Sequence, residues 1–334
     1  MKLKCIFGAI AVFLFFNAIA DAQSPSYRIS APYTHKNLTI FLVHGKDETS
    51  KTNILTLQEA MSRQILRVYE TSDVNELAVE NISKTFDVFI QSGDIVKGGK
   101  QDRILGVSII IPAHSGRIKI ESYCVESGRW QKRGNEDAGQ FTSSNDRIVS
   151  KELKLAANGA RSQQDVWAKV SEAQEKLSRN VGGQVASASS SSSLQLSLEN
   201  GRVTATADEY VRKLSSLIDG KSDVIGYAFA VNGRINSADI YASNALFKKL
   251  WPRMLKAAAV EAVSELDGQS RNAPMAKPAE VQAFMSEADS APADERAASG
   301  AVRVVTRDKK DSAVYESRDD KSKTVVHRAY VKKQ

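Results

Sequence analysis

The sequence predicts an α+β fold: a mostly antiparallel β N-terminal half, helices with a β-hairpin in the middle, and a short C-terminal β meander. Three observations support this prediction. Short runs rich in Val, Ile, Phe and Tyr recur from residue 37 to residue 126, between clusters of Gly, Asp, Ser or Pro. Apolar residues then recur at helical spacing in the middle of the chain. Strand-like and helix-like segments are segregated rather than alternating, which favours α+β over a doubly wound parallel sheet.

The N-terminal half contains a series of predicted strands and one short predicted helix. The helix lies at Leu57–Arg63 and interrupts the series. The strands are predicted from their β-branched and aromatic residues and from the turn-forming residues that separate several of them. They span Asn37–His44, Ile65–Glu70, Val74–Asn81, Phe86–Gln91, Ile104–Ile111 and Arg117–Val125.

The middle of the chain is predicted to be helical on either side of one hairpin. One helix follows the capping-box pattern at Ser162–Asp165, and a second begins at Thr206–Glu209. Asn232-Gly233 lies between two β-like runs and predicts a hairpin with a type I′ turn. In the helix after this hairpin, Pro252 either introduces a kink or starts a new helix that ends near Leu266.

Predicted domain boundaries follow shifts in composition. Residues 1–22 have the pattern of a signal peptide, and residues 23–267 form the main α+β domain. Residues 268–300 are rich in Ala, Pro, Ser and Glu and are predicted to be a linker with one weak helix. Residues 301–334 contain three β-like runs, and this basic segment is either a separate tail or completes the main domain.

The N-terminus has the layout of a secretory signal peptide. Lys2 and Lys4 precede an apolar run from Cys5 to Phe16, and Ala20-Asp21-Ala22 supplies a cleavage pattern. The apolar run is shorter than the roughly 20 residues that a bilayer span requires. We therefore expect an exported protein, periplasmic or secreted, with no membrane span after cleavage.

Composition and charge exclude several classes of protein. The chain has 334 residues, 42% hydrophobic and 25% charged, which is typical of a globular protein. Its two cysteines exclude a disulfide-stapled scaffold and a Cys-rich zinc module. From Ala301 onward there are ten Lys/Arg and five Asp/Glu. Because the two signs are interspersed rather than clustered, we expect no nucleic-acid partner.

The densest polar stretch is a glycine-bearing loop at residues 93–103. The nearest motif is the phosphate-binding loop, but alignment on Gly99-Lys100 puts Asp94 at the first glycine and Gln101 at the Ser/Thr position. The match therefore fails, and a β-turn is the simpler interpretation. A turn of this kind still presents four candidates for binding anions or amides, which are Lys100, Gln101, Asp102 and Arg103.

A second polar stretch begins where a predicted strand ends at Cys124. Alternation places Cys124 on one face with two isoleucines, which favours a buried structural thiol. Glu126 points the same way and needs a cationic partner, for which Arg103 and Arg129 are candidates. The group is either structural or catalytic. In the catalytic interpretation, Glu126 is the general acid or base, Cys124 is the alternative nucleophile and Trp130 is a stacking wall.

Other catalytic constellations are missing from the sequence. It has neither a G-x-S-x-G elbow nor an H-E-x-x-H helix, and its four histidines have no metal-ligand spacing. We therefore predict no metal site, and the identity of any cofactor is unknown at this stage.

In both polar stretches the sequence resembles that of a bacterial family, the ADP-ribosylglycohydrolase and rhodanese-phosphatase-associated protein domain. The resemblance is carried by Gly-Lys-Gln-Asp-Arg at Gly99–Arg103 and by Cys-Val-Glu-Ser-Gly-Arg-Trp at Cys124–Trp130, and further pieces extend it from about Tyr33 to Leu266. It implies an α+β fold and a role near ADP-ribose or NAD processing, and it assigns no catalytic residue. The predicted signal peptide would separate this protein from the cytosolic NAD pool.

Three functions are compatible with these observations. The first is an exported binding domain, in which Gln101, Arg103, Glu126, Arg129 and Trp130 recognise a small polar ligand, such as one resembling ADP-ribose, or a protein partner. The second is a hydrolase for a phosphate- or ribose-containing substrate with Glu126 as acid/base, so whether the protein is an enzyme stays open. The third is a structural envelope assembly protein that docks through its basic C-terminal segment.

Overall fold

The computed structural model describes residues 27–333 except 72, 131–132, 135, 137–138, 148–149, 267–273 and 301. The predicted signal peptide lies outside these residues. The described part of the chain combines α-helices with three largely antiparallel sheets, which confirms the predicted α+β class. None of the helices in this part is both long and apolar enough to span a bilayer.

The largest sheet has nine strands in the described residues, and neighbouring strands pair antiparallel. In spatial order they are β1 (Arg28–Ile29), β3 (Leu38–His44), β13 (Val224–Val231), β14 (Arg234–Tyr241), β18 (Val325–Lys332), β17 (Ser312–Asp319), β16 (Val302–Asp308) and β15 (Ala293–Ala297), while β2 (Tyr33–His35) also pairs with β3. The strands of the predicted C-terminal tail therefore lie in the same sheet as β3 and β13, and β18 pairs directly with β14.

Two smaller sheets contain the remaining strands. The six-stranded sheet has the order β12 (Phe141–Arg147), β8 (Asp94–Gly98), β9 (Arg103–Leu105), β11 (Arg117–Cys124), β6 (Glu76–Asn81) and β5 (Leu66–Glu70). The three-stranded sheet has the order β10 (Ile109–Ile111), β7 (Asp87–Ile90) and β4 (Ile54–Thr56). The β4–β7 pair is parallel.

One predicted strand, Ile104–Ile111, is divided between these two sheets as β9 and β10. The β9–β11 pairing ends at Gly106, whose N–H donates to the Glu121 carbonyl at 2.7 Å, and a Cβ at Gly106 would lie 3.1 Å from that of Glu121. Apolar content alone does not reveal where one pairing ends and the next begins. The break between the strands contains Ser108, which belongs to the interior site described below.

The helices lie mostly in the middle of the chain, as predicted. They are α1 (Leu57–Ser62), α2 (Lys151–Lys154), α3 (Gln163–Asn180), α4 (Leu194–Leu198), α5 (Gly201–Leu214), α6 (Asn244–Ser264) and α7 (Pro278–Asp289). A π-helical segment, Leu155–Ala160, follows α2, and a 3₁₀ turn, Ser215–Ile218, follows α5. Pro252 lies inside a continuous α6 and does not start a new helix, because the packing of α6 offsets the backbone hydrogen bond that proline cannot donate.

The main core lies between α6 and the inner face of the nine-stranded sheet. Trp251 on α6 is 2% exposed and contacts Tyr227 of β13 with ring centroids 5.6 Å apart. The Trp251 indole N–H donates to the Ser215 carbonyl at 2.8 Å, so that its one polar group is satisfied. This core anchors the sheet whose inner face carries the polar cleft described below.

Helix α7 covers the outer face of the same sheet. It buries Val281, Phe284 and Met285, and the Phe284 ring lies 6.3 Å from that of Tyr330 on β18. The segment predicted as a linker therefore contains a packed helix and the edge strand β15, although its residues 268–273 lie outside the described part. Its low-complexity composition concealed the short apolar stripe that makes these contacts.

Candidate functional site

The structure separates the predicted site residues into a buried group and two exposed side chains. Lys100 is exposed, and Trp130 is 55% exposed at the surface. The buried residues lie close together, because Cys124 on β11 pairs directly with Arg103 on β9. These buried residues are Gln101, Asp102, Arg103, Cys124, Glu126 and Arg129.

The register of the β9–β11 strand pair explains why the two polar stretches meet. The Val125 N–H donates to the Asp102 carbonyl at 3.0 Å, which continues the β9–β11 ladder into both loops. Ahead of Asp102, Gly98 has φ +113°, and a Cβ there would lie 2.7 Å from the Gln140 carbonyl oxygen. Only glycine suits this position, and the tight turn brings the following polar residues beside Glu126.

Four charged residues form what we call the arginine–carboxylate cluster, namely Asp102, Glu126, Arg129 and Arg133. Arg129 Nε lies 2.7 Å from Glu126 Oε2. Arg133 Nη1 lies 2.9 Å from Asp102 Oδ2 and 3.3 Å from Glu126 Oε1. Both carboxylate side chains are fully buried. Two cations thus neutralise two anions, which lets all four side chains lie in the interior.

Backbone groups and a serine complete the hydrogen bonding of this cluster. The Gly98 N–H and the Ser193 hydroxyl donate to Asp102 at 2.9 and 3.1 Å, and the Asp102 N–H donates to Glu126 Oε2 at 3.2 Å. Both Glu126 oxygens already receive donors from the loops that they connect. The geometry suits a structural clamp between loops better than a general acid.

Arg133 is a member of the cluster that sequence reasoning missed. Burial alone would lower the pKa of Arg133, but the hydrogen bonds that it donates to Asp102 and Glu136 raise it above its usual value. The residue lies in a polar stretch without a local motif, so only its position opposite Asp102 reveals it.

Cys124 is a buried thiol with polar neighbours. Its Sγ donates to Gln101 Oε1 at 2.9 Å and accepts a hydrogen bond from the Arg103 guanidinium. Burial raises the pKa of Cys124 to about 11, although the charge of Arg103 opposes this shift. Because the thiolate is the reactive form, this environment does not favour a nucleophilic role for Cys124.

A second polar group lies in an interior recess, which we call the sheet cleft. It is a cavity of about 30 Å³ on the inner face of the nine-stranded sheet, with room for one or two water molecules. Its lining comes from Ser92, from the break before β10, from β12, α2, β14, β15, β16, β17 and β18, and from the π-helical segment. The polar residues used below are Ser92, Ser108, Arg147, Lys154, Asp239, Arg296 and His327.

Three of these side chains form a hydrogen-bonded chain. Ser108 Oγ lies 2.9 Å from His327 Nδ1, and His327 Nε2 lies 3.0 Å from Asp239 Oδ1. Asp239 and His327 share one face of the sheet because Asp239 pairs with Ala329, two residues beyond His327. Each of the three residues is no more than 3% exposed.

Two cations lie beside this chain. Arg147 Nη2 donates to the Ser92 carbonyl at 2.7 Å, and Lys154 Nζ donates to Ser237 Oγ at 3.0 Å. Lys154 Nζ is also 3.9 Å from Asp239 Oδ2, an oxygen without a hydrogen-bond partner in the described residues. Burial alone would raise the pKa of Asp239, but Lys154, His327 and Arg147 hold it at about 2. Asp239 is therefore ionised at neutral pH.

Sequence reasoning did not find the sheet cleft, because its residues come from distant segments with no shared motif. The sequence pattern gives His327 no metal-ligand spacing with the other histidines and places Ser108 inside the predicted strand Ile104–Ile111. In the part of the chain that the structure describes, no three His, Cys, Asp or Glu side chains are grouped as metal ligands.

These features define an α+β domain with two interior polar groups, and comparison with known families identifies its relatives. The model of the ARG and Rhodanese-Phosphatase-superfamily-associated Protein domain matches residues 26–331, and the chain belongs to this family. The match confirms the resemblance to a rhodanese-phosphatase-associated family and extends it through the C-terminal strands, whereas it does not show the link to ADP-ribosylglycohydrolases. No curated protein and no solved structure matches the chain.

Proposed function

We propose that the protein is a binding domain whose sheet cleft receives the phosphate or carboxylate group of a small polar ligand. The observation that carries this proposal is the presence of Arg147 and Lys154 around one recess, against Asp239, which is already bonded to His327. Arg296 also lines the recess, but it donates to both oxygens of Glu121, at 2.7 and 3.0 Å. Guanidinium and ammonium groups in a low-dielectric interior favour an anionic guest. The small cavity means that one anionic group enters while the rest of the ligand stays outside.

The arginine–carboxylate cluster gives less support to a binding role. Its arginines already contact Asp102 and Glu126, so that an entering anion would have to compete with two buried carboxylates. Trp130, which was expected to stack on a ligand, points to the surface. A ligand that resembles ADP-ribose remains part of the proposal because its phosphates supply the anionic group.

Ligand-dependent stability tests the binding proposal. We expect inorganic phosphate, AMP or ADP-ribose to raise the unfolding temperature by a few degrees, since a ligand at 100 times its Kd adds about 2.7 kcal/mol. Lys154→Gln should reduce this shift while keeping a hydrogen-bonding group near Ser237. Arg303→Gln is the matched control, because it removes one positive charge from a side chain that is 46% exposed on β16.

Three outcomes decide the binding proposal. A shift that Arg303→Gln retains and Lys154→Gln loses supports it. If Lys154→Gln does not fold, Arg296→Gln replaces it, because Arg296 lines the cleft and its side chain is 25% exposed. The absence of any shift with all three compounds, or equal shifts in the cleft variant and the control, would refute anion binding in the cleft.

We also propose that the protein is exported. The support is the pattern of Lys2, Lys4, the apolar run from Cys5 to Phe16 and the Ala20-Asp21-Ala22 cleavage pattern. Mass spectrometry of the protein recovered outside the cytoplasm is expected to find Gln23 as its N-terminus. An intact N-terminus on protein confined to the cytoplasm would contradict export.

An assembly role through a free C-terminal tail has less support. Strands β16, β17 and β18 pair with one another, and β18 also pairs with β14. Their hydrogen-bonding edges are therefore largely used within the sheet, which leaves less of this segment available for docking.

A further inference from the structure

We infer that Ser108, His327 and Asp239 form a nucleophilic relay, and that the sheet cleft hydrolyses small carboxylic esters whose acyl group enters the cavity while an anionic group of the substrate stays at its mouth. Ser108 is the nucleophile, His327 is the general base and Asp239 is a positioning residue. The requirement for an anionic group rests on the binding proposal above, whereas the relay itself rests on separate contacts.

The hydrogen-bond partners determine which nitrogen of His327 carries the proton. An ionised carboxylate only accepts hydrogen bonds, so the 3.0 Å contact with Asp239 Oδ1 places a proton on His327 Nε2. The Gln91 amide nitrogen is farther from Nε2, at 3.4 Å, and donates to the Tyr241 hydroxyl at 2.8 Å instead. In the neutral imidazole, Nδ1 then carries the lone pair and faces Ser108 Oγ at 2.9 Å. This is the arrangement in which a histidine accepts the proton of an attacking serine.

The Ser108 hydroxyl is oriented from its other side as well. The Ser92 N–H donates to Ser108 Oγ at 3.0 Å, which occupies an acceptor position on this oxygen. A serine hydroxyl has a single proton to donate, and His327 Nδ1 is the acceptor within reach. The nucleophile and the base are therefore held in the geometry that proton transfer requires.

Positive charge lies in the same cavity as the nucleophile. Arg147 donates to the carbonyl of Ser92, the residue whose N–H contacts Ser108 Oγ. Arg147 and Lys154 line the same cavity as Ser108 and His327. Preorganised positive charge in a low-dielectric site stabilises an oxyanion and also attracts an anionic substrate.

The reaction needs only the ester and water, and its atoms balance. Ser108 Oγ bonds to the ester carbonyl carbon while its proton passes to His327 Nδ1. The bond from that carbon to the alcohol oxygen breaks, and the alcohol leaves with the proton from Nδ1. Water then attacks the acyl carbon and gives a proton to Nδ1, the acyl–Oγ bond breaks, and Oγ recovers its proton. The sum is ester plus water giving carboxylic acid plus alcohol.

Turnover of two acetyl esters tests the inference. We expect the wild-type protein to hydrolyse 4-acetoxybenzoate, which is anionic, with a lower KM than neutral p-nitrophenyl acetate. Ser108→Ala and His327→Gln should each lower kcat by about 100-fold or more. Asp239→Asn should lower kcat with little change in KM, because the wrong imidazole tautomer then faces Ser108.

A matched serine separates catalysis from packing. Ser122→Ala also removes a buried hydroxyl, on β11 and outside the cleft lining, and should leave turnover unchanged. Peptide mapping of the wild-type protein after brief exposure to p-nitrophenyl acetate should find the acetyl group on Ser108, a result that does not depend on any variant folding.

The outcomes also separate this inference from the binding proposal. Absence of an acetyl group on Ser108, or equal turnover in wild type and Ser108→Ala, overturns the relay even if phosphate still stabilises the protein. Turnover that depends on Ser108 but shows no preference for the anionic ester supports the relay and overturns the predicted anionic substrate.

Discussion

Replacing Asp102 with alanine is expected to lower the free energy of unfolding by about 3–5 kcal/mol, because it breaks a buried ion-pair network from one side. Arg133 would lose its 2.9 Å contact with Asp102 and Arg129 a 3.6 Å contact, while both stay in the interior. Glu126 would then be the one buried carboxylate left to both arginines, and Arg133 would keep its contact with the partly exposed Glu136. The Gly98 N–H and the Ser193 hydroxyl would each lose an acceptor. Urea unfolding of the variant measures the change.

Two comparisons make this result specific to the cluster. Asp294→Ala removes an exposed carboxylate from the edge strand β15 and should change the free energy of unfolding by no more than about 0.5 kcal/mol. The double variant Asp102→Ala/Arg133→Ala should be less destabilised than the sum of the single variants, because it removes both partners of a pair. A loss below about 1 kcal/mol for Asp102→Ala would show that the cluster contributes little to stability.

The second large effect is a loss of stability with rising pH that depends on Glu261. This residue of α6 is 3% exposed, and its Oε1 accepts hydrogen bonds from the Lys151 N–H at 2.9 Å and from Asn236 at 2.7 Å. Burial raises the pKa of Glu261 to about 7, although the charge of Lys154 and both hydrogen bonds oppose the shift.

The sign of the effect follows from proton binding. The ordinary pKa of this group is 4.5, so between pH 4.5 and about 7 the unfolded chain releases a proton that the folded protein keeps. The contribution of Glu261 to stability is fully present below pH 4.5, falls as pH rises through this interval, and is lost above about pH 7. A shift of this size corresponds to a total loss of about 3 kcal/mol.

Urea unfolding at pH 5 and pH 8 tests this dependence. The free energy of unfolding of Glu261→Gln, measured relative to that of the wild type, should be about 2–3 kcal/mol higher at pH 8 than at pH 5, because glutamine does not ionise. Glu265→Gln changes the next acidic residue, whose side chain is 37% exposed, and should leave the wild-type pH dependence in place. Equal pH dependence in the wild type and Glu261→Gln would refute the assignment to Glu261.

Local patterns predicted the elements that depend on neighbouring residues. The turn at Asn232-Gly233 has positive φ at both positions, 52° and 75°, and connects β13 to β14 as predicted. The capping residue Ser162 accepts a hydrogen bond from the Asp165 N–H at the start of α3. In both cases the information lies within a few residues, which is the range over which capping and turn chemistry act.

Strands with polar sequences escaped prediction. β8 (Asp94–Gly98) and β12 (Phe141–Arg147) pair with each other, yet neither has the alternating apolar pattern of a half-buried strand. Asp94 and Arg147 are nevertheless buried, because Arg147 lies 3.9 Å from Asp94 and Arg253 lies 3.1 Å from it. Partners from other segments make this burial possible, so the strands cannot be identified from their own residues.

The sequence by itself determined the α+β class and the two polar stretches whose motifs indicate the family, but not that these stretches meet. Tertiary structure alone decided what those residues do: Asp102 and Glu126 are neutralised by Arg129 and by Arg133, while Trp130 is left at the surface. It also assembled the sheet cleft from β14, β18 and the break before β10. The physical reason is that hydrogen bonds and charge pairs act over a few ångströms in space, whatever the separation along the chain.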